Sequence, residues 1–372
     1  MKGEKFNIPG NKLRVLIAPL DWGLGHATRC IPIIFKLLQQ NCEVLVAAEA
    51  SGKILLQKEF PGLIFIELRG YRIQYSRTTF WMPVKILLQL PKLIYSIYAE
   101  KRWLKKAVDK YKIDAVIADN RLGLSHKKIP CAYITHQLKI KTGGRFTESI
   151  VQKIHYHFIN KYTRCWVPDA GGEVNLAGEL SHPVILPHVQ VVYLGPLSRF
   201  EKIDAAIKYD LCVILSGPEP QRSIFEKIIL TGLKDFKGTV LLLRGLPGNS
   251  LLPESNSNSL QIHNHLAAAE LNLVLQQSKI IICRAGYTTI MDLVKLQKKA
   301  ILVPTPGQTE QAYLACYLQE QNLFYSVQQK DFSVGDALKK AADFSFKEVA
   351  VQQKNYEEAV EDFVMMALDK NQ

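Results

Sequence analysis

A short string, Gly23-Leu24-Gly25-His26-Ala27-Thr28-Arg29, follows the apolar run at residues 14–18 almost directly. Glycines there allow a tight turn and let backbone approach a ligand. His26 falls where the next helix begins. The positive end of a helix disfavours imidazolium, so a histidine there stays neutral and can accept a proton as a general base. Asp119-Asn120-Arg121 ends a second apolar run, 115–118. Asp119 is a second candidate base; it also reads as a helix cap or, with Asn120, Arg121 and Gly23, as a contact for an acceptor molecule.

Three further strings sit after apolar runs. Residues 280–292 read strand, then Arg284-Ala285-Gly286, then a helix opening with Thr288 and Thr289 and carrying Asp292. Free amides and hydroxyls at a helix start suit a diphosphate. A carboxylate two turns in can accept hydrogen bonds from vicinal hydroxyls such as those of a ribose. Pro304-Thr305-Pro306-Gly307 stiffens a loop before Gln308, Glu310 and Gln311, whose amides and carboxylate match sugar hydroxyls. Ser216-Gly217 followed by Arg222 offers another phosphate contact. Each string alone also reads as an ordinary capped helix. Gly23-x-Gly25 with Glu49 further on competes as a dinucleotide fingerprint, but Thr28 occupies the third glycine position.

Short branched runs alternate with helical-period segments along the whole chain. Seven are expected as strands in the first half (14–18, 43–48, 63–68, 115–118, 132–135, 165–167 and 189–193) and four in the second (211–215, 239–243, 280–283 and 300–303). Continuous apolar runs of this kind suit parallel strands buried on both faces. The expected fold is α/β, with two parallel-sheet domains: 1–195, a linker at 196–209 rich in Gly, Pro and charge, and 210–372. Residues 243–259 read as a surface loop, and 346–370 as a helix that packs back on the first domain.

The chain has 372 residues, 48% apolar and 22% charged, which excludes disorder and fibrous classes. Its net charge of +13 favours an anionic partner. Seven scattered cysteines without a C-x-x-C pair read as reduced thiols, and the polar N-terminus lacks a secretion signal, so the expected location is cytoplasmic. Residues 71–112 carry ten Lys/Arg against two acids, with Trp81, Tyr95, Tyr98 and Trp103 interleaved. That surface suits an anionic membrane, although the helix also reads as a solvated one with its apolar stripe on the core. No zinc spacing, RNP-like string or basic tail supports nucleic acid.

GLGHATR, CRAGYTTIMD and PTPGQTEQ, in this order and spacing, resemble the family-28-like nucleotide-sugar glycosyltransferases, similar to the undecaprenyl-lipid N-acetylglucosaminyltransferases of peptidoglycan synthesis. The resemblance covers about residues 12–330. It implies a GT-B fold: two Rossmann-like domains facing a cleft, the acceptor on the first and a UDP-sugar on the second. By motif position it implies that Gly286 and Thr288 contact pyrophosphate beside Arg284, and that Asp292 holds ribose. Glu310 and Gln311, with Gln308, would meet the sugar. Leu266 would meet the base, and Gly25 and His26 would line the first glycine turn.

The expected reaction is attack of an acceptor hydroxyl on the anomeric carbon, with UDP leaving and the centre inverting. UDP-sugar is then a substrate, and no cofactor is expected. The chain has no D-x-D pair to bridge a metal to the diphosphate, so no required metal is expected. The expected acceptor is a lipid-linked or cell-envelope glycan, reached from the inner membrane face. Two other classes fit the same cleft: a non-catalytic nucleotide-sugar-binding subunit, and a nucleotide-sugar epimerase.

Overall fold

A computed structural model describes residues 12–21, 23–71, 82–142, 144–246, 251–253, 259–348 and 355–370, without the side chains of 82–88, 145 and 355. The first lobe contains β1 (Arg14–Pro19), α1 (Leu24–Gln39), β2 (Glu43–Ala47), α2 (Ala50–Glu59), β3 (Ile64–Ile66), α3 (Met82–Tyr111), β4 (Ala115–Asp119), β5 (Cys131–Ile134), α4 (Arg145–Ile159), β6 (Arg164–Val167) and β7 (Val191–Tyr193). The second contains β8 (Tyr209–Ile214), α5 (Gln221–Gly232), β9 (Val240–Leu243), β10 (Leu260–His263), α6 (Ala268–Gln276), β11 (Ser278–Cys283), α7 (Tyr287–Lys295), β12 (Ala300–Leu302), α8 (Thr309–Glu320), β13 (Tyr325–Ser326), α9 (Val334–Ala342) and α10 (Asn355–Asp369).

Each lobe is one parallel sheet. The orders are β3-β2-β1-β4-β5-β6-β7 and β10-β9-β8-β11-β12-β13. Val15, Leu16, Ile17 and Ala18 of β1 are fully buried, as are Leu211, Cys212 and Val213 of β8. Covering both faces explains why these strands are apolar throughout rather than alternating. In both sheets the order reverses at one place, between β1 and β4 and between β8 and β11. Ligands of open α/β sheets bind beyond the carboxyl ends of the strands at that reversal. The register pairs Pro19 with Asp119 and Ile214 with Cys283. Thus the Gly23–Arg29 turn lies beside Asp119, and the Ser216-Gly217 loop beside the Gly286 turn.

Two strands, β10 and β13, go beyond the sequence expectation. Both are sheet edges. Leu-Gln-Ile-His and Tyr-Ser are half-buried and polar enough to read as loop. Parts of the expected 243–259 loop, at 247–250 and 254–258, lie outside the described residues, as does 72–81 of the basic stretch. α3 carries Pro91 yet runs 30 residues. Among the described residues, no helix is long and apolar enough to cross a membrane.

α10 packs on the first lobe. Phe363 meets Trp166 edge to face at 5.3 Å, and Lys36 of α1 reaches Glu361 at 2.6 Å. Val360, Phe363 and Ala367 are buried there. Each buried apolar side chain of valine size or larger contributes about 1.5–3 kcal/mol. One apolar cluster runs from α1 through α7 to α10, so the lobes share a core at this side of the cleft.

Candidate active site

The glycine turn comes first. Gly23 has φ +76°, a conformation that disfavours any side chain, and it starts α1. Gly25 is needed for space. A Cβ there would lie 2.8 Å from the Thr288 hydroxyl oxygen on the opposite lobe, and Thr288 donates to the Gly25 carbonyl at 3.2 Å.

His26 projects from the first turn of α1, and its Nδ1 lies 3.0 Å from Asp119 Oδ1. Arg29, one turn further along the same face, meets both Asp119 oxygens, with Nε on Oδ2 at 2.5 Å. Asp119 is fully buried, and Arg29 is 2% exposed. Burial pulls the Asp119 carboxyl up, but Arg29 and then His26 hold it far below the usual carboxylate range. Asp119 is therefore a fixed anion that cannot take up a substrate proton near neutral pH. Arg29 Nη2 also lies 3.0 Å from His26 Nδ1, so the two partners favour opposite tautomers; in the one that donates Nδ1–H to Asp119, Nε2 is left as the acceptor of that ring. His26 itself is held below the ordinary histidine range, first by burial and then by Arg29, against the pull of Asp119. The ring is neutral near pH 7, though burial rather than the helix end is the main cause.

The second lobe supplies the opposite wall. Gly286 precedes α7, whose first-turn amides have no intrahelical acceptor. Gly217 follows β8 with φ +100°, and a Cβ there would stand 3.5 Å from the Thr305 hydroxyl. Ser216 beside it is exposed. The Thr305 hydroxyl oxygen is buried and has no hydrogen-bond partner among the described residues. Glu310, in the first turn of α8, reaches across to His136 Nε2 at 2.7 Å. The neighbouring Gln311 accepts from the Thr305 amide at 2.9 Å, and Gln308 stands at the residue before α8 without a side-chain bond to its first turn.

Asp292 faces the linker rather than the open cleft. Ser198 donates to it at 2.5 Å, and burial pushes the carboxyl up to about 7 despite Ser198 and nearby Arg199.

Three arginines and a leucine expected at ligands are instead engaged inside the protein. Arg121 is fully buried and donates to the carbonyls of Pro19 and Arg69 and to Glu100. Arg284 donates to the carbonyls of Val303 and Gln221 and to Gln329, and stacks on Phe225 at 4.2 Å. Arg222 is tied to Glu219 and Glu226. Leu266 belongs to the apolar core. A buried guanidinium needs acceptors for its donors; Arg121 and Arg284 find carbonyls and Arg222 finds carboxylates, while Arg284 Nε has no partner among the described residues. Asn120, at φ +51°, stays half-buried beside Asp119 and accepts from Tyr133 at 3.4 Å.

Sequence reading missed Arg29 as the partner of Asp119, and missed His136 altogether. The signal for Arg29 was its i+3 spacing from His26. His136 follows β5 within two residues, at the same carboxyl edge as Asp119.

Comparison with known proteins finds glycosyltransferases. Residues 248–367 match the glycosyltransferase family 28 C-terminal domain. An uncharacterized glycosyltransferase of Methanosarcina acetivorans is 22% identical over 338 residues, 83% of this chain and 84% of that protein. The UDP-N-acetylglucosamine–N-acetylmuramyl-(pentapeptide) pyrophosphoryl-undecaprenol N-acetylglucosamine transferase of Caldanaerobacter subterraneus is 25% identical over 139 residues, 35% of this chain and 38% of that one. The crystal structure of the glycosyltransferase SnogD from Streptomyces nogalater superposes with a TM-score of 0.63 at 12% identity, covering 96% of this chain and all of that one. With two parallel-sheet lobes, the strings GLGHATR, CRAGYTTIMD and PTPGQTEQ and these relatives, the chain is a glycosyltransferase of GT-B fold that is similar to family 28 over residues 248–367.

Proposed function

We propose that this transferase moves a hexose, N-acetylglucosamine or a close analogue, from a UDP-sugar to the hydroxyl of a lipid-linked or cell-envelope glycan, with inversion and without a metal. The His26–Asp119 pair at the strand reversal, facing the start of α7, carries this reading. His26 Nε2 takes the acceptor proton while the acceptor oxygen bonds to the anomeric carbon. The anomeric carbon–phosphate oxygen bond breaks on the opposite face, and UDP leaves with the electron pair. In-line displacement of this kind inverts the centre. The leaving charge falls on the amides at the start of α7, a pre-oriented set of donors. Glu310, Gln308 and Gln311 would meet the sugar.

The membrane-facing part of the reading rests on α3. Its inner stripe, Ile97, Leu104 and Ala107, is buried, while Tyr95 and Tyr98 are 71% and 47% exposed beside exposed Lys101, Arg102, Lys105 and Lys106. Cations with amphipathic rings suit an anionic lipid surface. UDP release from an array of UDP-sugars, with and without glycan and lipid-linked acceptors, tests the transfer. Release that needs no acceptor, or none from any UDP-sugar, would overturn it. Co-sedimentation with vesicles that ignores anionic lipid content would end the membrane part.

A further inference from the structure

His136 is buried between the lobes and meets a different partner on each side. Arg29 Nη1 lies 3.3 Å from its Nδ1, and Glu310 Oε1 lies 2.7 Å from its Nε2. A guanidinium can only donate and a carboxylate can only accept. One tautomer satisfies both: Nε2 carries the hydrogen, and Nδ1 accepts from Arg29. Tyr287, from the Gly286 turn of the second lobe, lies flat on the ring at 4.0 Å and 7°, and its hydroxyl is anchored on the Pro168 carbonyl at 2.9 Å. The ring is thus clamped in plane by one lobe while it belongs to the other. Burial pulls Glu310 up, but His136, His26 and Arg29 together hold it below the usual carboxylate range, so it stays an acceptor. The contacts form one line: Glu310, His136, Arg29, Asp119, His26.

We propose that His136 is a positioning residue that ties closure of the cleft over the donor to the alignment of the base. Through Nε2 it holds Glu310, one of the groups expected at the donor sugar, against the first lobe. Through Nδ1 it holds Arg29, which fixes Asp119 behind His26. This rests on the transferase reading above. It predicts that the two ends of one imidazole serve two separable kinetic functions.

Two substitutions separate those ends, because asparagine places an amide near Nδ1 and glutamine places one near Nε2. In His136→Gln the donor toward Glu310 survives and the acceptor for Arg29 is lost. The donor KM should stay near wild type while kcat falls about tenfold or more, the size expected for a lost charge-assisted hydrogen bond. In His136→Asn the contact with Arg29 survives and the one with Glu310 is lost. The donor KM should then rise about tenfold, with kcat the less affected. Glu310→Ala should raise the donor KM as His136→Asn does, and the two together should not add. The Glu310 side chain is 36% exposed, so that variant keeps the test open if the His136 variants do not fold. An active wild type in which both His136 variants change kcat and KM by the same factors, and in which Glu310→Ala leaves the donor KM unmoved, would overturn this proposal alone. A wild type that releases no UDP from any sugar would overturn the transferase reading and this proposal with it.

Discussion

The hydroxyl of Thr288 donates to the carbonyl of Gly25 at 3.2 Å, and no Cβ fits between them. Two residues 263 positions apart set how closely the lobes meet beside His26. Glycine at 25 is therefore an interface requirement, not a turn requirement; the turn belongs to Gly23.

Gly25→Ala should force Thr288 away and loosen the cleft. Overpacking of this kind costs about 1–3 kcal/mol. The denaturation midpoint should drop accordingly. Adding Thr288→Ala removes the clashing oxygen and should recover most of the loss. A double variant no more stable than Gly25→Ala would remove the contact from this role.

His26→Ala should lower turnover by about 10²–10⁴ if the ring is the base. Asp119→Asn should also lower it, since the fixed anion behind Nδ1 is lost. A base must be neutral to act, and burial holds His26 below its ordinary value. The acid limb of kcat/KM should therefore fall below about pH 6.5, the free-histidine value. A limb at or above that value, or turnover unchanged in His26→Ala, would take the role from His26.

Asp292 should leave a mark on stability. Its carboxyl titrates near 7 in the fold, against about 4 in an unfolded chain. Between those values the folded state holds a proton that the unfolded state has lost. Stability from this group is thus greatest at low pH and falls as pH rises through that window. Asp292→Asn should flatten the slope of urea-denaturation midpoints between pH 5 and 8, gaining most over wild type at pH 8. Parallel slopes would contradict the raised value.

Phe363→Ala should test the return of α10. The ring is 1% exposed and packs on Trp166. Losing a buried phenylalanine costs about 3–5 kcal/mol. Because the shared core joins the lobes here, scattering in solution should also report a more open particle. A variant as stable as wild type would mean that α10 is not a clasp.

Turnover should survive excess chelator. Loss that a divalent ion restores would show that the leaving diphosphate needs more than the amides of α7.

Much of this protein is written locally. Branched runs such as Val-Leu-Ile-Ala and Ile-Ile-Ile-Cys are strands because no other element accommodates so many buried β-branched side chains in so short a span. The glycine turns after β1, β8 and β11 were legible for the same reason, since backbone geometry there depends on a few adjacent residues. The edge strands β10 and β13 were not, because their partners supply the order that their own sequences lack.

What each charged side chain does was decided only by the tertiary structure. Arg29, Arg121, Arg222 and Arg284 look alike in sequence, yet Arg29 braces Asp119 while the other three hold carbonyls and carboxylates inside their own lobes. His136 directly follows an expected strand, but nothing near it in sequence names its partners. Its partners, Arg29 and Glu310, lie 107 and 174 residues away. Electrostatic partnership depends on distance through space and on exclusion of water, and neither is a property of sequence neighbours.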